Sequence, residues 1–100
     1  MTTEVCGILL HPSGHTLSPV LHRAAYAALK LDAVYLAFDI PPGQLRSAVE
    51  SMRGLGLRQL SISLPHKEAV LELADEVSPD AQQIGAANTL TRSANQLRAD

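Results

Sequence analysis

Ser61-Ile62-Ser63-Leu64-Pro65-His66-Lys67 is the stretch on which the fold turns. With Gln59 and Leu60 before it, the pattern alternates: Leu60, Ile62 and Leu64 fall on one face, Gln59, Ser61 and Ser63 on the other. A period of two is the signature of a β-strand. Pro65 ends it, and Ala69, Val70, Leu73 and Ala74 then recur at helical spacing. The stretch therefore predicts a strand over 59–64 that turns into a helix, with Lys67 in the first helical turn. Junctions of this kind are where open α/β sheets hold ligands, because side chains and free helix N–H groups converge there. The macrodipole disfavours a cation at that end, so a lysine there is an unusual choice and suits proton transfer. A half-exposed strand with a solvated surface lysine is the plainer account of the same residues, and the pattern alone leaves both open.

The same unit repeats on either side. Val5 to Leu10 is a continuous apolar run, expected as a buried strand. A loop from His11 to Leu17 leads to Ser18-Pro19, an N-cap with proline at the first helical position. Leu21, Ala24, Ala25, Ala28 and Leu29 mark that helix's apolar face. Ala33 to Ile40 is a second apolar strand, broken by Pro41-Pro42-Gly43. Leu45, Ala48, Val49 and Met52 then give a helix that runs to Gly54 and Gly56. Ser78-Pro79 opens a short helix that Gly85 should end. Two short strands follow, around 88–91 and 96–98, joined by Ser93-Ala94-Asn95. Three strand-then-helix units imply an α/β fold: a three-layer α/β/α sandwich, mostly parallel, with an antiparallel strand near the C-terminus.

Composition narrows the function. One hundred residues without a repeat argue for one domain, and 46% hydrophobic against 18% charged residues allow a modest core. A net charge of -2 without a Lys/Arg cluster gives no footprint for nucleic acid. The apolar runs are too short to span a membrane and no signal peptide is read, so a cytoplasmic protein is expected. Cys6 is the single cysteine, which excludes an internal disulfide and fits a reducing compartment.

Candidate site residues cluster after the strands. Thr16 and Ser18 flank Leu17 at a helix start, where hydroxyls and free N–H groups suit a carboxylate or phosphate, although Ser18 is equally an ordinary cap. Asn88, past Gly85-Ala86-Ala87, is a turn residue or an amide that reads hydroxyl groups. His11, His15, His22 and His66 show no zinc-type spacing, so no metal is expected. Neither a Gly-x-Gly-x-x-Gly fingerprint nor a Gly-x-Ser-x-Gly elbow occurs.

Three stretches in register resemble the N-terminal, substrate-binding domain of shikimate dehydrogenases. They are His15-Thr16-Leu17-Ser18-Pro19-Val20-Leu21-His22, Ser63-Leu64-Pro65-His66-Lys67-Glu68 and Ile84-Gly85-Ala86-Ala87-Asn88-Thr89. The likeness covers nearly the whole chain, so residues 1–100 are expected to form that one domain. It implies an enzyme that interconverts 3-dehydroshikimate and shikimate with NADP, in aromatic amino acid biosynthesis. It further implies that NADP is bound by a C-terminal Rossmann-type domain outside this chain. Thr16 and Ser18 would hold the substrate carboxylate; Ser63, Lys67 and Asn88 would face its ring hydroxyls; Lys67 would be the catalytic lysine. The family's members are monomers or dimers, which makes a homodimer one expected assembly.

Departures from the family pattern qualify the substrate. Thr16 stands where the family usually has Ser, and Ser61-Ile62-Ser63 where it usually has Asn-x-Thr. Hydroxyls are kept, but Ser61 replaces an amide, which leaves quinate or an amino analogue as an alternative to shikimate. The family's paired aspartate belongs to an Asn-Thr-Asp motif just past the position of Asp100, so Asp100 is not that residue. The chain alone is expected to be inactive. A stand-alone small-molecule binding module is the alternative from another class.

Overall fold

The computed structural model describes residues 3–12, 16 and 18–100. The expected units follow in order: strand β1 (Glu4–Leu10), helix α1 (Ser18–Leu29), strand β2 (Ala33–Asp39), helix α2 (Leu45–Leu55) and strand β3 (Gln59–Ile62). A 3-10 stretch (Ala69–Leu73) comes next, then short strand β4 (Glu76–Val77), helix α3 (Pro79–Ile84) and the hairpin of β5 (Thr89–Ser93) and β6 (Gln96–Ala99). Among the described residues six strands form one sheet, in the order β2-β1-β3-β5-β6-β4. β1 is parallel to β2 and β3, and β4 to β6, whereas β5 is antiparallel to β3 and β6. This is the mostly parallel sheet with an antiparallel element near the C-terminus that the sequence implies.

Strand alternation sorts the side chains into two layers. Leu9, Leu60, Ile62, Leu90, Leu97 and Ala99 meet Leu45, Val49 and Met52 of α2, Val70 and Ala81 in the larger core. A fully buried leucine of this kind contributes about 1.5–3 kcal/mol relative to an exposed one. Cys6, Ile8, Leu10 and Tyr35 point to the other face, where Tyr26 of α1 packs on them. Gly7 is fixed by contact: a Cβ there would lie 2.4 Å from the Leu36 carbonyl oxygen and 2.6 Å from the Phe38 ring. The caps of α3 are those expected. The Ser78 hydroxyl accepts from the Ala81 N–H at 3.1 Å, and Gly85, at φ 82°, closes the helix onto the Ala81 carbonyl.

Three expectations change. Leu21, Ala24, Ala25, Ala28 and Leu29 do not form the buried face of α1; all five are exposed. Pro19, His22 and Tyr26, which share the same helical period, face the sheet instead, and their rings offer more contact than a row of alanines. Strand β3 ends at Ile62 rather than Leu64, just before a cis Leu64–Pro65 peptide. The helix expected after Pro65 is the 3-10 stretch, with Lys67 in the turn before it. The Lys67 carbonyl accepts from the Ala87 N–H, while the Leu71 N–H turns to Glu68, so the α-helical bond between Leu71 and Lys67 is not made. The macrodipole argument for Lys67 therefore lapses.

On the far side, the Asp75 carboxylate accepts from Arg53 Nη2 at 2.7 Å and from the Leu97 N–H at 2.8 Å. The Arg53 bond, with the Leu97 N–H, holds its pKa below the ordinary 3.8. A lowered folded pKa gives stability that is present above the ordinary value and lost as pH falls through the folded one. Asp75→Asn should therefore cost stability at pH 7, and its deficit against the parent should shrink in acid denaturation below pH 3.8. Urea melts across that range check it.

Candidate functional site at the carboxyl edge of the sheet

The ends of β1 and β3 and the start of β5 lie along one edge. β5 runs antiparallel to β3 with Thr89 opposite Ser61, which places Asn88 beside the end of β3. The Ile62 N–H donates to the Asn88 carbonyl at 2.6 Å. The Ser63 N–H donates to Leu9 at 2.9 Å and the His11 N–H to Leu64 at 3.1 Å, tying β3 to the end of β1. The Ala87 N–H donates to the Lys67 carbonyl at 2.9 Å. Main-chain bonds thus bring the segments of Ser63, Lys67 and Asn88 together. Ser63 and Lys67 are half-buried and Asn88 is exposed.

Thr16 and Ser18, both half-buried, stand at the start of α1, on the connection that leaves the same end of β1. The Thr16 hydroxyl accepts from the Ser18 N–H at 3.3 Å. His15 and Leu17 of the first motif, with Ser13 and Gly14 of the expected loop, lie outside the described residues.

His66 and Tyr35 carry weight that the pattern did not show. His66 is buried, and its Nε2–H donates to the Ile40 carbonyl at 2.6 Å, which fixes the tautomer because a carbonyl can only accept. Its own N–H donates to Ser63 and its carbonyl accepts from Val70. The side chain is a post between the end of β2 and the turn that bears Lys67. Tyr35 is buried and donates to the Ser61 hydroxyl at 2.8 Å. Burial pushes its pKa up, against the opposing Ser61 bond. A histidine at the end of a proline turn and a tyrosine amid an apolar strand were the available signals.

Asp100 supports this edge through its backbone: its carbonyl accepts from the N–H groups of Asn88 and Thr89, while its carboxylate pairs with Arg98. Among the described residues no three His, Cys, Asp or Glu side chains are grouped to hold a metal ion. An apolar cavity of about 180 Å³, lined by Leu9, Phe38, Ile40, Leu55 and Leu57 among others, lies between α2 and the sheet. None of the five candidate residues lines it.

Fold and edge together define an open-sheet α/β domain whose polar candidates gather at the carboxyl ends of its parallel strands. Residues 8–90 match the family model described as the shikimate dehydrogenase substrate binding domain, and the chain belongs to that family. It is 46% identical over 94 residues to the shikimate dehydrogenase (NADP(+)) of Symbiobacterium thermophilum, covering 94% of this chain and 32% of that protein. The structure of Thermus thermophilus shikimate 5-dehydrogenase with NADP(H) and shikimate superposes with a TM-score of 0.92 at 38% identity, over 96% of this chain and 36% of that one. A ligand-free 5-ketofructose reductase of Gluconobacter sp. strain CHM43 superposes with a TM-score of 0.95 at 28% identity, over 98% of this chain and 35% of that one. The chain spans about a third of the length of these relatives. No helix among the described residues is long and apolar enough to cross a membrane.

Proposed function

We propose that this chain is the substrate-binding domain of an NADP-dependent dehydrogenase that interconverts 3-dehydroshikimate and shikimate, and that Lys67 is its catalytic lysine. The observation that carries the reading is the main-chain convergence of the Ser63, Lys67 and Asn88 segments at the end of β1, the strand whose connection leads to α1, within a chain of this family. The turn from β1 into α1 carries Pro12, Thr16 and Pro19 rather than a glycine-rich phosphate loop, so the chain's own residues do not fit a dinucleotide. The cofactor is assigned to a second domain. This domain's part is to hold the substrate and to manage one proton.

Thr16 and Ser18 grip the carboxylate, with the start of α1 adding its favourable dipole. Ser63 and Asn88 face the ring hydroxyls, and Lys67 exchanges a proton with the reacting oxygen while the substrate is held near attack distance. An anchor remote from the reacting carbon binds ground and transition states about equally. Ser18→Ala in the full-length enzyme should therefore cost about 1.5–3 kcal/mol, seen as a raised KM with kcat within a few-fold. Steady-state kinetics decide it: a fall in kcat at unchanged KM would remove Ser18 from the anchor.

Quinate or an amino analogue is the second reading, favoured by Ser61 in place of the family's usual asparagine. Relative kcat/KM for shikimate and quinate separates the two. A stand-alone binding module would bind either ligand without turnover in the full-length protein.

A further inference from the structure

The face of the sheet under α1 is apolar at Cys6, Ile8 and Leu10, yet its buried centre is Tyr35. A phenylalanine would pack there without needing a partner, since a buried hydroxyl is costly unless bonded. The Tyr35 hydroxyl has one described use. Tyr35 stands opposite Cys6, and Cys6 opposite Gln59, but its side chain crosses β1 obliquely to reach Ser61, nearer the carboxyl edge. The ring is also clamped: His22 stacks on it at 3.8 Å and 8°. The same histidine donates from Nδ1 to the Ser18 carbonyl at 2.8 Å. A continuous chain of contacts thus runs from Ser18, at the start of α1, through His22 and Tyr35 to Ser61 on β3.

A serine oxygen that accepts one hydrogen bond still has its own proton to give. With Tyr35 on its acceptor side, the half-buried Ser61 is set as a donor on the face of β3 that it shares with Ile8 and Tyr35, the face on which α1 packs. We infer that Ser61 is a specificity-determining residue that donates a third hydroxyl hydrogen bond to the substrate carboxylate, and that Tyr35 and His22 are the positioning residues that hold it in register with Ser18. The inference rests on the proposed function, because it takes the carboxylate to lie at Thr16 and Ser18.

The test compares two substrates in the full-length enzyme: shikimate and its methyl ester, which keeps the ring but loses the charge. Ser61→Ala should lower kcat/KM for shikimate roughly tenfold more than for the ester, since bonds to charged groups are the stronger ones. Tyr35→Phe, which keeps the ring and its stack, should give part of the same selective loss. The double variant should be no worse than Ser61→Ala alone, because the two residues act through one bond. Ser61→Thr, which keeps the hydroxyl, should restore most of the discrimination. An equal loss for both substrates, or none for either, overturns the inference and leaves the proposed function standing. If the unsubstituted enzyme turns over neither substrate, it is the proposed function that falls, and the inference with it.

Discussion

On the proposed function, Lys67→Ala in the full-length protein should lower kcat by roughly a hundred- to ten-thousand-fold, the usual worth of general acid–base assistance. KM for shikimate should stay within a few-fold, because a group that acts on the transferring proton contributes in the transition state. The structure gives two reasons to expect the chemistry to be specific to this side chain. Its main chain is pinned by the Ala87 N–H, so the residue is held in a fixed turn. It is half-buried beside the ends of β1 and β3 rather than splayed on a helix surface. Near-normal turnover with poor binding would make Lys67 an anchor and overturn the proton-transfer role.

His66→Ala should produce the largest loss of stability among the site variants, about 2–4 kcal/mol from the cavity it opens and the Ile40 carbonyl it leaves without its donor. At this chain length that corresponds to roughly 10–30 °C in Tm. His66→Gln keeps an N–H donor and should recover part of it. Because the same side chain braces the turn of Lys67, catalysis should fall along with stability in the alanine variant. Thermal melts of the two variants decide the point: an unchanged Tm in His66→Ala would mean that the buried bond to Ile40 carries no weight.

How much of this was legible depended on which signal each residue sent. The three β-α units were written in alternation and punctuation: Pro41-Pro42-Gly43 stops one strand, and Ser78-Pro79 and Gly85 bracket one helix. The candidate site residues came from motifs in register that resemble one family, and the topology brings the segments of Ser63, Lys67 and Asn88 together. Other features depend on tertiary contacts that no local pattern encodes. The helix after Pro65 gave way to a 3-10 stretch because Ala87, from a distant segment, takes the Lys67 carbonyl. The apolar row on α1 was a true helical pattern on the wrong face, since His22 stacks on the Tyr35 ring and Tyr26 packs on the strand residues beneath the helix. Strand β4, two residues long, is too short to leave a period.

The central claim is that the carboxyl edge, with Thr16, Ser18, Ser63, Lys67 and Asn88, is where the substrate binds. Titrating the ¹⁵N-labelled 100-residue chain with shikimate, followed by amide chemical shifts, tests it most directly. The account predicts that the largest shifts fall on the amides of those five residues and their neighbours, while Ser51, Leu55 and Leu57 around the apolar cavity stay still. Shifts centred on that cavity, or none anywhere at millimolar shikimate, would contradict it.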